Sequence, residues 1–231
     1  MSTFKRRVED VRNWPADEEA RDVLRDYLNN LSTTPDGATL PAIAGDLYDF
    51  SRSDLSGLYF DAAFFFNTNF TRARLKGCSL RKANLNGADL SGADLSDADL
   101  YKAEARECLG ENAAFQNAYM LGVDLGHAEL PGADLRGAIL NSGFLIGTNL
   151  SGADLRGAHL LHTSFGFESD PTLLPGARLF GAHFDNRTDG WVTGPVDVGE
   201  ETPLLMEGQE LAAWFRGHGA GDVHCTAGGR S

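Results

Sequence analysis

The sequence predicts an all-β solenoid with short flanking α-helices, and three observations carry the prediction. Leu or Phe recurs at every fifth position from Phe50 to Phe165, with Met120 once in its place; only Ala105 and Gly110 break the series. Two residues before most of these centres sits a small side chain, usually alanine, as at Ala83, Ala88, Ala93 and Ala98. A period of five fits neither the ~3.6-residue turn of a helix nor the alternation of a simple strand. It fits a stack of coils in which each repeat makes one short side and one corner. Large and small inward residues then meet their equivalents in the next coil.

The run Ala83-Asn-Leu-Asn-Gly-Ala-Asp-Leu-Ser-Gly-Ala-Asp-Leu-Ser-Asp-Ala-Asp-Leu100 resembles the pentapeptide repeat family, whose motif is A(D/N)LXX. The resemblance covers about half the chain. It implies a right-handed quadrilateral β-helix with four repeats per coil, about six to seven coils, and Leu, Phe and Ala pointing inward. At a strand spacing of ~4.8 Å, six coils make a rod of roughly 29 Å. The expected organisation is an N-terminal helical cap and linker over 1–47 and the solenoid over 48–191, with a register break at 166–176. A C-terminal segment follows over 192–231.

Four repeats per coil put residues twenty apart on one face. One face then carries Asp54, Asp94, Asp134 and Asp154 just before the centre, an acidic stripe interrupted by Arg74. The next shows Tyr59, Tyr119, Ile139 and His159 there, with Tyr101, Leu121 and Leu161 following the centre. A further face presents Phe64 and Phe144, with Phe66 and Ile146 beside them. The fold does not require outward apolar residues, and contiguous ones mark contact surfaces or lie beneath a flanking helix. Tyr59, Phe64, Phe66, Tyr101, Tyr119, Leu121, Phe144 and Ile146 are therefore the candidate partner-binding residues.

The flanks read differently. Residues 16–31 form a helix, with Pro15 at its first turn and Ala20, Val23, Leu24, Tyr27, Leu28 and Leu31 on one stripe. It serves to cap the open end of the stack, and Thr33 to Ala38 link it to the first coil. Loss of large centres at Ala105 and Gly110 predicts a kink or bulge, with Leu109 turning inward to compensate. The break at 166–175 is a shortened coil or a projecting loop, after which the pattern returns one residue out of phase at Ala177 to Phe184. Residues 204–216 suit a short amphipathic helix, and the Gly-rich tail from Gly217 reads as disordered.

Net charge is −13, and residues 107–231 carry ten of those thirteen net negative charges. Such a surface disfavours direct nucleic-acid binding. No apolar stretch approaches the ~20 residues of a membrane span. The three cysteines argue for a reducing, cytoplasmic setting, with Cys78 and Cys108 as packed thiols. No phosphate-binding loop, nucleophile elbow or paired CxxC is present, so neither catalytic residues nor a cofactor are expected. His159 and His162 at one corner could share a metal but lack a placed third ligand, and no metal is expected.

The leading reading is a non-enzymatic protein-binding solenoid. The family resemblance adds an alternative, a DNA mimic that protects or inhibits DNA gyrase or another type II topoisomerase, as in antibiotic self-resistance, with a homodimer formed through the C-terminal segment. Against it, the repeats themselves carry a net charge of about −3, whereas duplex DNA carries about seventeen charges over that length. An enzyme or accessory factor of a biosynthetic cluster is the remaining, weaker alternative.

Overall fold

The structure, a computed structural model, describes residues 7–33, 42–200, 202–221 and 223–226. Most of the linker expected after Thr33, and the last five residues of the tail, lie outside them.

Between residues 42 and 165 the chain winds as a β-helix in which each outward residue bridges its equivalents twenty positions away, as in Asp54↔Arg74↔Asp94↔Ala114↔Asp134↔Asp154. Four five-residue sides make one turn. The backbone accounting of a single repeat explains the period. Leu95 donates to the Ala114 carbonyl in the next coil (2.7 Å) and Asp97 to that of Gln116 (2.9 Å). Ala98 closes the corner on the Leu95 carbonyl (3.1 Å), and Asp99 reaches the Cys78 carbonyl of the preceding coil (2.9 Å). One N–H per repeat, that of Ser96, is left out of the ladder, and the Asp94 carboxylate accepts it at 3.0 Å. That is the physical content of Asp or Asn in the motif: the residue caps its own corner. The second corner residue lies in the left-handed region, at φ between +51° and +71°, which is why Gly and Asn gather there.

Inside, the centres and the small residues are fully buried. Where threonine takes the small slot, its hydroxyl donates to a centre carbonyl one coil back: Thr68 to Gly45 (2.7 Å), Thr148 to Leu125 (2.7 Å) and Thr163 to Leu140 (3.0 Å). The expected kink at Ala105 and Gly110 is corrected. The ladder passes straight through, with both donating to the next coil at 2.7 Å, and Leu109 points out, 46% exposed. The methyl of Leu130 occupies the space above Gly110, where an added Cβ would lie 2.5 Å from it. The neighbouring coil fills the gap, so Leu109 has no cavity to enter.

Both ends are covered. Helix α1 (Glu18–Thr33) begins after Asp17, whose carboxylate accepts the Ala20 N–H (2.7 Å), so Pro15 lies outside the helix rather than in its first turn. Leu24, Leu28 and Leu31 of α1 join the core, and Tyr27 stacks on Phe60 and donates to the Tyr59 carbonyl (2.6 Å). Ahead of α1, Asn13 bridges Asp54 and closes that column.

At the far end β1 (Gly166–Phe167) and β2 (Asp170–Leu173) form a tight antiparallel hairpin. It lengthens the Asn149-to-Leu173 pairing from twenty residues to twenty-four, hence the phase shift seen in the sequence. β3 (Gly190–Thr193) runs parallel to β2 and to β6 (Val223–Thr226), while β4 (Val196–Asp197) pairs with β5 (Leu205–Met206). Two expectations are corrected here. The helix α2 occupies Gly208–Gly217, leaving Leu204 and Leu205 exposed, and part of the tail is the strand β6 because it satisfies the open edge of β3. Leu211 and Phe215 of α2 are buried, Phe215 against Phe165 and Phe184 (ring centroids 5.9 and 5.1 Å apart). The apolar face of α2 is thus used within its own chain.

Candidate interaction surface

Three of the four aspartates of the acidic stripe lie beside an arginine. Asp54 is buried beneath the N-terminal segment, 3.9 Å from Arg74. Asp94 caps the Ser96 corner. Asp134 holds Arg136 at 2.6 Å; Asp154 holds Arg156 at 2.5 Å and lies 3.5 Å from Arg178. Burial pushes the Asp134 and Asp154 carboxyls up, but hydrogen bonds from the side chains and N–H groups of Arg136 and Arg156 outweigh it. Both carboxyls therefore sit below the ordinary carboxylate range.

The candidate apolar residues fall into separate groups. Tyr59 is half-buried, packed against the core, and its backbone carbonyl binds Tyr27, so it belongs to the N-terminal cap. Phe64 and Phe66 are 52% and 46% exposed and adjoin Leu47 near the first coil. Phe144, 50% exposed, is four ladder steps further along the Phe64 column, about 19 Å away. Around Phe144 the later coils bring together Ile139 on one side, Leu121 and Leu161 at the corner between, and Ile146 at the next corner. Tyr101 and Tyr119 stack (6.3 Å), with the Arg81 guanidinium 4.5 Å over the Tyr101 ring. Phe167 in the hairpin, 61% exposed, pairs with Asp170, whose carbonyl accepts the N–H of Gly147 beside Ile146 (3.2 Å). Repeat logic does not reach Phe167 because it lies in the insertion; an aromatic residue inside a register break was the signal available.

Corner capping varies among the repeats. Several outward residues that cannot cap are rescued from the neighbouring coil. Asp46 caps Phe66, Asp61 caps Arg81, Asn86 caps Arg106 and Asn141 caps Leu161 (2.7, 3.2, 2.8 and 3.0 Å). After Glu129 and Leu173 the corner residue is Pro131 or Pro175, which has no N–H to cap. Among the described residues, the corners after Tyr119, Ile139 and Phe144 have neither device, and neither do those after Arg74, Leu109 and Ala114. Each forgoes a hydrogen bond with a net value of about 1 kcal/mol.

The two histidines considered for a metal are separated by their partners. His162 faces Asp185 (2.6 Å), brought near by the insertion, and His159 stacks on His183 (4.6 Å). The two histidines therefore point to different partners, and no group of three potential ligands forms around them. Cys78, Cys108 and Cys225 are free thiols; burial pushes Cys108 and Cys225 up to about 12, so both are protonated at neutral pH. No described helix is long and apolar enough to cross a membrane.

Fold and surface together define a β-helix solenoid of five-residue repeats with an uncapped apolar patch on its later coils. The pentapeptide-repeat family model matches it in eight copies, over residues 49–87, 68–104, 111–141 and 141–166, and the chain belongs to that family. Among solved structures it is similar to a trypsin-treated form of QnrB1, a plasmid-mediated fluoroquinolone resistance protein. That match has 26% identity and covers 68% of this chain and 80% of that one, with a TM-score of 0.42. HetL, involved in heterocyst differentiation regulation in the cyanobacterium Nostoc sp. strain PCC 7120, is 22% identical over 70% of this chain and 94% of its own (TM-score 0.27). A pentapeptide repeat protein of the Arabidopsis thaliana thylakoid lumen is 26% identical over 60% and 81% (TM-score 0.29). At these TM-scores the molecules do not superpose as wholes. No curated protein matches the chain.

Proposed function

We propose that the chain is a non-enzymatic, protein-binding solenoid, right-handed and four-sided with about six to seven coils, that works in the cytoplasm. It engages its partner through the apolar patch of the later coils: Tyr119, Leu121, Ile139, Phe144, Ile146 and Phe167. The observation that carries this reading is the coincidence of exposure and forgone capping. At Phe144 the fold favours Asp or Asn, which would cap the corner, yet a half-exposed phenylalanine stands there with apolar neighbours. Phe64 and Phe66 form a second, smaller apolar group near the first coil.

A type II topoisomerase is the finer candidate partner that the family resemblance suggests. DNA mimicry by the acidic column is disfavoured, because arginines compensate Asp134 and Asp154. A gyrase supercoiling assay with a fluoroquinolone distinguishes the two: unchanged inhibition is expected, and protection by the protein would make gyrase the partner. The protein-binding reading itself is tested by a photo-crosslinking p-benzoylphenylalanine at position 144 in cells, compared with the same group at exposed Arg136. A discrete crosslinked partner at 144 and none at 136 is expected. No adduct at 144 would refute the reading.

A further inference from the structure

One corner of the rod changes character along its length. Its first position reads Asp61, Arg81, Tyr101, Leu121, Asn141 and Leu161 at successive ladder steps; its second reads Ala62, Lys82, Lys102, Gly122, Ser142 and His162. We propose that this corner receives an extended, acidic–apolar peptide segment of the protein partner, its carboxylates over Lys82 and Lys102 and its apolar side chains over Leu121 and Leu161. This rests on the protein-binding reading above and adds the chemistry of the segment that is bound.

Charge compensation along the corner supports it. Arg81 is held by Asp99 (2.8 Å) and Asp61 (4.0 Å), and His162 faces Asp185 (2.6 Å). Lys82 and Lys102 are both exposed, and among the described residues neither takes part in an ion pair. They stand one ladder step apart, and neither ammonium has a described carboxylate within 4.0 Å. The stem of Lys102 runs over Gly122, where an added Cβ would lie 3.3 Å from its Cγ. Its ammonium lies 5.4 Å from the Tyr101 ring, and Tyr101 stacks on Tyr119. The cationic and apolar stretches are therefore continuous. From Lys82 to Leu161 is four ladder steps, about 19 Å, or about six residues of extended chain. The net charge of −13 does not prevent local recognition, because charges beyond the ~8 Å screening length at physiological salt contribute little. Two lysines beside a long apolar stretch suit a peptide better than a run of phosphates.

The test uses fluorescein-labelled octapeptides with two glutamates at one end and alternating Leu and Phe beyond, made in both sequence orders, and versions with lysine for glutamate. Each is titrated with the full-length chain by fluorescence anisotropy. One order of the glutamate peptide should bind at least about tenfold more tightly than its lysine version. The double variant Lys82→Glu with Lys102→Glu should invert that preference, while Leu121→Arg weakens both. Thermal melting of each variant checks that the rod is intact. Equal binding of glutamate and lysine peptides, unaffected by the double charge reversal but lost with Leu121→Arg, would overturn the acidic segment and leave the apolar interface standing. Failure of both glutamate orders to bind would also overturn the inference, whereas the protein-binding reading falls only with the crosslinking experiment at position 144.

Discussion

Replacing Glu111 by proline should stabilise the rod, whereas replacing Ser91, one ladder step away in the same column, should not. That column contains Ser51, Thr71, Ser91, Glu111, Pro131, Ser151 and Pro175, each the first residue of a corner. Its N–H takes no part in the ladder. At Ser91 the N–H is donated to the Asp89 carboxylate at 2.9 Å; at Glu111 the preceding outward residue is Leu109, which offers no acceptor. Proline therefore removes nothing from the ladder at Glu111, and Pro131 in the next coil shows that the corner accepts its ring. Its gain, through a less flexible unfolded chain, is ~0.4–1 kcal/mol. At Ser91 the same gain is set against a lost hydrogen bond of ~0.5–1.5 kcal/mol and a carboxylate left without its donor. The two variants should differ by about 1–2 kcal/mol, or ~2–8 °C in Tm for a chain of this size, measured by circular dichroism or calorimetry. A loss of the ~3 kcal/mol typical of an interior proline in Glu111→Pro, or an equal Tm shift in both variants, would refute corner capping.

Three other outcomes follow from the structure. Phe215→Ala should cost about 3–5 kcal/mol, because its ring closes the end of the core against Phe165 and Phe184; a loss below about 1 kcal/mol in denaturant titration would show that α2 is not a cap. Asp54, Asp134, Asp154 and Asp185 have lowered carboxyl pKa values, since hydrogen bonds outweigh the effect of burial. Their contribution is present above the unfolded carboxylate range and is lost as pH falls through the lower folded values. Tm should thus be flat from about pH 7 to about pH 5 and drop below about pH 4, less steeply in Asp154→Asn, and a flat profile through acid would contradict the assignment. Finally, an aromatic-disulfide thiol titration should find Cys108 and Cys225 unreactive in the native protein at neutral pH and all three cysteines reactive once unfolded; rapid native labelling of Cys108 would be inconsistent with its burial.

The interior was legible in the sequence because a five-residue period leaves few packings: the same Leu, Phe and Ala recur, and the coils stack them. Residues whose roles depend on another coil were not legible in the same way. Gly110 looked like a missing core residue, and only the position of Leu130 shows that it is filled. Asn86 and Asn141 each cap a corner one coil away, a role that a single repeat does not reveal. His162 seemed paired with His159 by spacing, but the hairpin insertion brings Asp185 beside it instead. β6 was hidden because its Val-His-Cys-Thr sequence has no repeat signature and is ordered by the edge of β3. Among the candidate surface residues, Phe64 and Phe144 share a column as expected, but α1 claims Tyr59, and Phe167 joins the later group from outside the repeat.

The central claim is that a partner protein binds over Phe144, and the most direct measurement is the affinity of the partner crosslinked at that position for the native chain and for Phe144→Arg, with Tm recorded for both. Since Phe144 is half exposed and forgoes its corner cap, the variant should lose at least about tenfold in Kd with Tm within about 2 °C of the native value. Unchanged affinity would contradict the claim, and so would an affinity loss accompanied by collapse of Tm, because Phe144 would then be part of the packing rather than of the interface.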